Sequence, residues 1–230
     1  MSRARDLAKI NEITTLLPGR IIKVDVYTTQ NGTATSVSNA GTNAIWTKPS
    51  GCTNVLVYCT GGGGGARSND SSYRGAGGGG GATAIGYYDV SSIASVSVNV
   101  GGGGVTARGS GRGGTGGTSS FGSFCTATGG VGGQSDDPYE GGRGGDASGG
   151  FVNLPGGGGE MAHGADREGG GGESYWFKSG SNHWYSTTGG SVPTNTYGQW
   201  GSGGGRGHYA QNYPTNGNGG GGVVIVYSYS

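Results

Sequence analysis

Val55-Leu56-Val57-Tyr58-Cys59-Thr60 runs straight into Gly61-Gly62-Gly63-Gly64-Gly65, and Gly219-Gly220-Gly221-Gly222 runs straight into Val223-Val224-Ile225-Val226-Tyr227. The reading of these two junctions decides the fold. Glycine makes up 60 of the 230 residues, and all but Gly19, Gly32, Gly41 and Gly51 lie between Gly61 and Gly222. Such a content without a strict period usually marks low-complexity or disordered chain. The flanking apolar runs argue the other way. Each has the composition of a strand, and strands that pair across the whole insertion would make the glycines between them an ordered region.

Further strands follow from alternation outside these two. Ile21 to Tyr27 alternates on one face after its first residues, and residues 28–44, rich in Thr, Asn, Ser and Gly, read as a loop. Ile45-Trp46-Thr47 leads into a turn at Lys48-Pro49-Ser50-Gly51, where Pro and Gly suit the bend. Segments 82–90, 95–100 and 119–127 complete a set of six or seven strands. Residues 3–17 are the one helix candidate: Leu7, Ile10, Ile13 and Leu17 fall at helical spacing and Pro18-Gly19 stops the pattern. A helix of roughly 14 residues is marginal alone in water, so its stripe wants a partner.

The glycine tracts recur. They begin near residues 61, 77, 101, 113, 129, 141, 156, 169, 189, 203 and 219, with inserts of variable length between them. Three have the form GGxGGx: Gly113 to Thr118, Gly129 to Gln134 and Gly141 to Asp146. A three-residue repeat fits the three residues per turn of a polyproline-II or polyglycine-II backbone, six residues spanning about 19 Å. Two bare positions per turn let neighbouring backbones approach and pair N–H with C=O. The expected fold is therefore mostly β and irregular. A short N-terminal helix (1–19) and a small β-sheet region (20–60) precede a glycine-rich bundle (61–230), which strand 223–229 closes.

If successive tracts run antiparallel, the inserts sort onto two ends. Counting every tract, 134–140 and 160–168 share one end. Inserts 147–155, 173–188 and 206–216 then share the other, and the short Gly189-Gly190 tract decides where the last of them falls.

Little in the composition points to catalysis. Charge is sparse and balanced, 14 basic against 13 acidic residues, a poor footprint for nucleic acid. G-x-G-x-x-G matches are expected by chance here, none sits between a strand and a helix, and the absence of any Gly-Lys pair rules out a phosphate-binding P-loop. His163, His183 and His208 lack metal spacing. Asp136, Asp137 and Glu140 read as solvated loop acids. The expectation is a non-enzymatic protein with no cofactor and no metal. Cys52, Cys59 and Cys125 are too few and too scattered for a disulfide framework and read as reduced thiols. Met1 to Arg5 leads into no apolar stretch, so no signal peptide and no membrane insertion are expected.

The aromatic inserts carry the functional signal. Tyr175, Trp176, Phe177, His183, Trp184 and Tyr185 crowd one insert, and His208, Tyr209 and Tyr213 another. Exposed aromatic clusters mark binding surfaces. The same rings could also cover one another or cap the bundle.

Several segments together resemble the glycine-rich tail-fibre domains of bacteriophages. They are Trp46 to Val57 with the following Gly61–Gly65, Val96 to Gly102, Gly116 to Gly122, and Gly219–Gly222 into Val226. The later tracts are similar to the polyglycine-II tip adhesins of T-even-like fibres. That resemblance implies a virion protein made in the host cytoplasm, recognising a cell-surface polysaccharide or outer-membrane protein through the loops between tracts. It also implies a homotrimer, with the Leu7, Ile10, Ile13 and Leu17 segment serving oligomerisation or attachment to other tail proteins. A glycine-rich RNA-binding protein, suggested by Arg112-Gly113-Gly114 and Arg143-Gly144-Gly145, and an ice-binding or structural glycine-rich protein are the rival readings.

Overall fold

A computed structural model describes residues 19–29, 41–68, 75–108, 111–134, 140–161, 169–178, 200–205 and 217–230. The four longest strands of the first sheet are β1 (Ile21–Thr28), β3 (Asn54–Thr60), β5 (Thr83–Asp89) and β12 (Val223–Tyr229), with the short β11 (Val152–Leu154) at one edge. They lie in the order β1-β12-β3-β5-β11, every pair antiparallel. Strands β3 and β12 do pair across the glycine region, Thr60 opposite Val223 and Asn54 opposite Tyr229.

The second sheet holds β2 (Thr42–Thr47), β6 (Ser95–Val100), β8 (Ser119–Phe121), β9 (Cys125–Ala127) and β10 (Ala147–Ser148), in the order β10-β9-β8-β6-β2 and again antiparallel. Alternation decides which residues enter the space between the sheets. Val55, Val57 and Cys59 from β3, Val224 and Val226 from β12, and Val96, Val98 and Val100 from β6 all point inward and are buried. Trp46 is fully buried on β2 and meets Phe121 edge-on, ring centroids 5.7 Å apart. The loop expected over 28–44 yields its last residues to β2, which must extend to Thr42 to pair with Val100. Segment 119–127 is a hairpin of two strands turning at Gly122, whose φ of +52° favours glycine.

This architecture corrects the expected fold class. The protein is all-β, built on two antiparallel sheets, and among the described residues there is no helix. The helix expected over 3–17 falls outside the described residues up to Pro18. The β structure is also not confined to residues 20–60. Seven of the ten sandwich strands come from later in the chain, because the tracts return segments such as 119–127 and 147–154 to the sheets, where their backbones pair.

The glycine tracts belong to neither sheet. Their hydrogen bonds follow a period of three, not two. In tract 61–67, Gly61, Gly64 and Arg67 donate to Ala82, Gly79 and Ala76 at 3.0, 2.8 and 2.9 Å. Gly62 and Gly65 donate to Gly117 and Gly114, while Gly63 and Ala66 donate to Gly220 and Gly217. The carbonyls of Gly63 and Ala66 accept from Gly104 and Ala107, those of Gly62 and Gly65 from Gly130 and Gly133, and that of Gly64 from Gly204. One tract is thus surrounded by six others. Only an extended backbone with three residues per turn presents its amides in three directions this way. Tract 76–82 is surrounded likewise: Gly77 and Gly80 donate to Glu160 and Gly157, Gly78 and Gly81 to Gly204 and Gly201, Gly79 and Ala82 to Val131 and Thr128. Tracts 142–145 and 169–172 donate to its carbonyls.

Candidate binding surface

The register of these bonds gives the molecule two ends. Thr60, Ala82, Gly101, Thr118, Thr128, Asp146, Gly156, Glu173, Gly201 and Gly222 lie where the tracts meet the sandwich, as bonds such as Gly61 to Ala82, Gly81 to Gly201 and Gly222 to Gly101 require. At the other end Arg67 bonds to Ala76, Gln134 to Glu140, and Glu160 to Gly170, and Ala66 bonds to Gly217. There β4 (Arg67–Ser68) and β7 (Ala107–Arg108) form a short parallel pair. The chain enters at the far side of the sandwich: Arg20 and Ser230 exchange hydrogen bonds at 3.2 and 3.3 Å, beyond the Ile21–Tyr229 end of β1 and β12. Along the molecule the order of the described parts is therefore Arg20 with Ser230, the sandwich, the glycine tracts, and the end that carries the insert bases.

Inserts 69–74, 109–110, 135–139, 162–168 and 206–216 all leave from the distal end and return to it, judged by the described residues that flank them. This corrects the sorting expected from counting tracts. The insert carrying His208, Tyr209 and Tyr213 runs from Gly205 to Gly217, at the end opposite Tyr175, Trp176 and Phe177. Glu173 and Gly201, the described residues on either side of Gly189-Gly190, both lie at the sandwich end, and Gly189-Gly190 lies outside the described residues. His208, Tyr209 and Tyr213 themselves lie outside the described residues, as do His183, Trp184 and Tyr185 and the N-terminal Leu7, Ile10, Ile13 and Leu17.

Tyr175 and Trp176 lie against the outer face of the first sheet, and Phe177 packs on Trp200. The indole Nε1 of Trp176 donates to Thr60 Oγ1 at 2.9 Å, and that hydroxyl also bonds Thr83 Oγ1 at 2.8 Å. The Trp176 ring packs on Tyr58 at 5.6 Å and edge-on to Trp200 at 6.2 Å. Ser174 Oγ donates to the Trp200 carbonyl, closing the base of the insert. Trp200 itself has a positive φ of 26° just ahead of Gly201 at +81°, a turn that directs the chain back into the tract. Trp176 is an anchor. Tyr175 and Phe177, 49% and 38% exposed, keep accessible ring surface.

The tyrosines on the sheet beneath these rings carried no prominence in the sequence. Tyr58, Tyr227 and Tyr229 stand on the outward positions of β3 and β12, with Tyr227 6.0 Å from Tyr58. Burial, and then the neighbouring Tyr175, Tyr227 and Tyr229, raise the Tyr58 hydroxyl pKa above the ordinary phenol value. The available signal was aromatic residues at the alternate positions of strands whose other face is already apolar, which marks a sheet covered on both sides.

The sequence profile of the glycine-rich domain family matches residues 33–230. No curated protein matches the chain. With the profile covering both sheets from β2 onward and every glycine tract, the chain belongs to the glycine-rich domain family.

Proposed function

We propose that this protein is a bacteriophage tail-fibre or tail-tip adhesin that binds a host cell-surface polysaccharide or outer-membrane protein without catalysing a reaction. The observation that carries this reading is the polarity of the molecule. The chain enters at one extremity, and the glycine tracts carry the inserts of widest chemical variety to the opposite one. Backbone bonds among the tracts fix the insert bases while leaving the insert sequences free to vary, which is what a receptor-binding scaffold needs. The sequence resemblance to phage tail-fibre domains points the same way. In this reading the receptor contacts come from the distal inserts, with Tyr209 and Tyr213 as aromatic anchors, and the N-terminal segment joins the chain to other virion proteins or to two further copies. The Arg-Gly-Gly sites favour it over RNA binding, because Gly113, Gly114 and Gly145 spend their amides on Gly133, Val105 and Gly80 inside the tracts.

The test is binding of the purified, labelled protein to cells of a bacterial strain that it decorates. Replacing 206–216 and 162–168 by Gly-Ser segments of equal length is expected to abolish decoration. Tyr175→Ala is expected to leave it unchanged. Full decoration by the double replacement would overturn the proposal.

A further inference from the structure

Cys59 on β3 and Cys125 on β9 come from opposite sheets and meet inside the sandwich. Both are buried in the same apolar core cluster, both are free thiols, and they lie near enough to shift each other's ionisation. Tyr88 completes the group from β5. Its hydroxyl reaches the Gly149 carbonyl at 3.1 Å and also contacts Cys125, and its ring packs on Phe124 at 4.9 Å. The third cysteine stands apart: Cys52 precedes β3, and its thiol donates to the Asn54 carbonyl. A single buried cysteine usually serves as a small apolar side chain. Two thiols in contact across a sheet interface are positioned for something more.

We propose that Cys59 and Cys125 form a redox pair, in which exchange with a low-molecular-weight disulfide such as oxidised glutathione joins the two sheets by a disulfide bond. The sulfur of Cys125 attacks one sulfur of the small disulfide, breaking its S–S bond and releasing one glutathione thiolate. Cys59 then attacks Cys125 Sγ in the mixed disulfide and displaces the second glutathione. Two protein thiols lose two protons and two electrons, and one glutathione disulfide becomes two glutathione thiols.

The contact between the two sulfurs eases the ionisation of one and suppresses that of the other. The hydrogen bond from Cys59, followed by those from Tyr88 and the Phe121 backbone, outweighs burial and brings Cys125 down to about 7, while the same contact and burial push Cys59 well above the usual thiol range. The thiolate is the attacking species in such exchange, so Cys125 goes first. Access comes by local opening. Strand β9 has three residues, follows the tight turn at Gly122, and is held on its outer side only by the two-residue β10.

The experiment incubates the reduced full-length protein with excess oxidised glutathione, then reads intact mass, a non-reducing peptide map and the thermal midpoint. The expected result is loss of two hydrogens per chain, a cross-linked peptide joining Cys59 to Cys125, and a midpoint raised by roughly 10 °C, reversed by dithiothreitol. Cys125→Ala abolishes the mass change, Cys59→Ala stalls at the glutathione adduct on Cys125, and Cys52→Ala retains the loss of two hydrogens. Should either variant fail to fold, the wild-type peptide map decides alone. In the wild type, an unchanged mass, a stable glutathione adduct without ring closure, or a bond that includes Cys52 would each overturn the proposal. The outcome is independent of what the distal inserts bind.

Discussion

The sandwich and the glycine tracts are held together by different atoms. Between the sheets, side chains such as Trp46, Phe121, Val55 and Val98 are fully buried, and the strands donate their hydrogen bonds to one or two neighbours in a plane. Among the tracts almost no side chain is available to bury. Each backbone donates in three directions, and its Cα hydrogens occupy the space that a core would fill with carbon chains. Apolar burial is tolerant of shape to within a methylene or so. Backbone packing at this distance is not tolerant even of one methyl. The two regions should therefore respond differently to heat, to truncation and to added volume.

The broadest consequence concerns the whole molecule. Exposure of apolar surface raises the heat capacity on unfolding and exposure of polar backbone lowers it. Calorimetry is expected to give a heat-capacity change per residue well below the usual ~12–15 cal/mol/K, and an ordinary value would mean that the tracts are not packed through their backbones. Among single substitutions the largest effect is expected at Gly64. A Cβ there would stand 2.2 Å from the Val131 carbonyl oxygen and 2.6 Å from its carbon, with no side chain able to give way. Gly64→Ala must part the central tract from its neighbours and leave several buried amides unpaired, each costing about 1–3 kcal/mol. The variant is expected to lose the cooperative unfolding transition that circular dichroism records for the parent.

Within the sandwich the corresponding change removes volume. Phe121→Ala opens a cavity beside Trp46 and Phe124, whose rings lie 5.7 and 5.8 Å from its own. The expected loss is about 3–5 kcal/mol by urea denaturation, with the fold retained. Where the regions join, Thr60→Val keeps the shape but removes the hydroxyl shared by Thr83 and Trp176. That should cost about 1–3 kcal/mol for the buried groups left unpaired and shift the indole emission of Trp176. A loss as large as that of Phe121→Ala would show that Trp176 holds more than the insert base.

The two regions also differ in how much of them the sequence discloses. Strand pairing was legible wherever apolar residues alternate next to a glycine junction, as for 54–60 with 223–229, because period two and burial on one face leave a direct mark. The short strands at 147–148 and 152–154 left little, since two or three residues cannot show a period. In the tracts, composition signals close backbone approach, but nothing in a run of glycine says which tract lies beside which. Counting Gly189-Gly190 as a full crossing put the flanks of 206–216 at the sandwich end, whereas the bonds of Gly204 and Gly217 put them at the other. The aromatic cover of the first sheet was half visible: Tyr175, Trp176 and Phe177 were evident as a cluster. Their partners Tyr58 and Trp200 come from distant parts of the chain, which only the fold brings together.

The smallest expected effect is the sharpest test of the backbone account, because it uses the same substitution in the same kind of tract. Gly158 lies in tract 156–160, is exposed, and an added Cβ would meet nothing nearer than the Gly142 carbonyl oxygen at 3.8 Å. Its φ is not in the left-handed region. Gly158→Ala therefore adds no clash and reduces the freedom of the unfolded chain, which at a compatible site stabilises by about 0.4–1 kcal/mol. If glycine were needed in the tracts for flexibility, Gly158→Ala and Gly64→Ala would be damaging to a similar degree. If it is needed for proximity, the first is neutral or slightly stabilising in urea denaturation and the second is ruinous, because only the central glycine has a neighbour's backbone where its side chain would be.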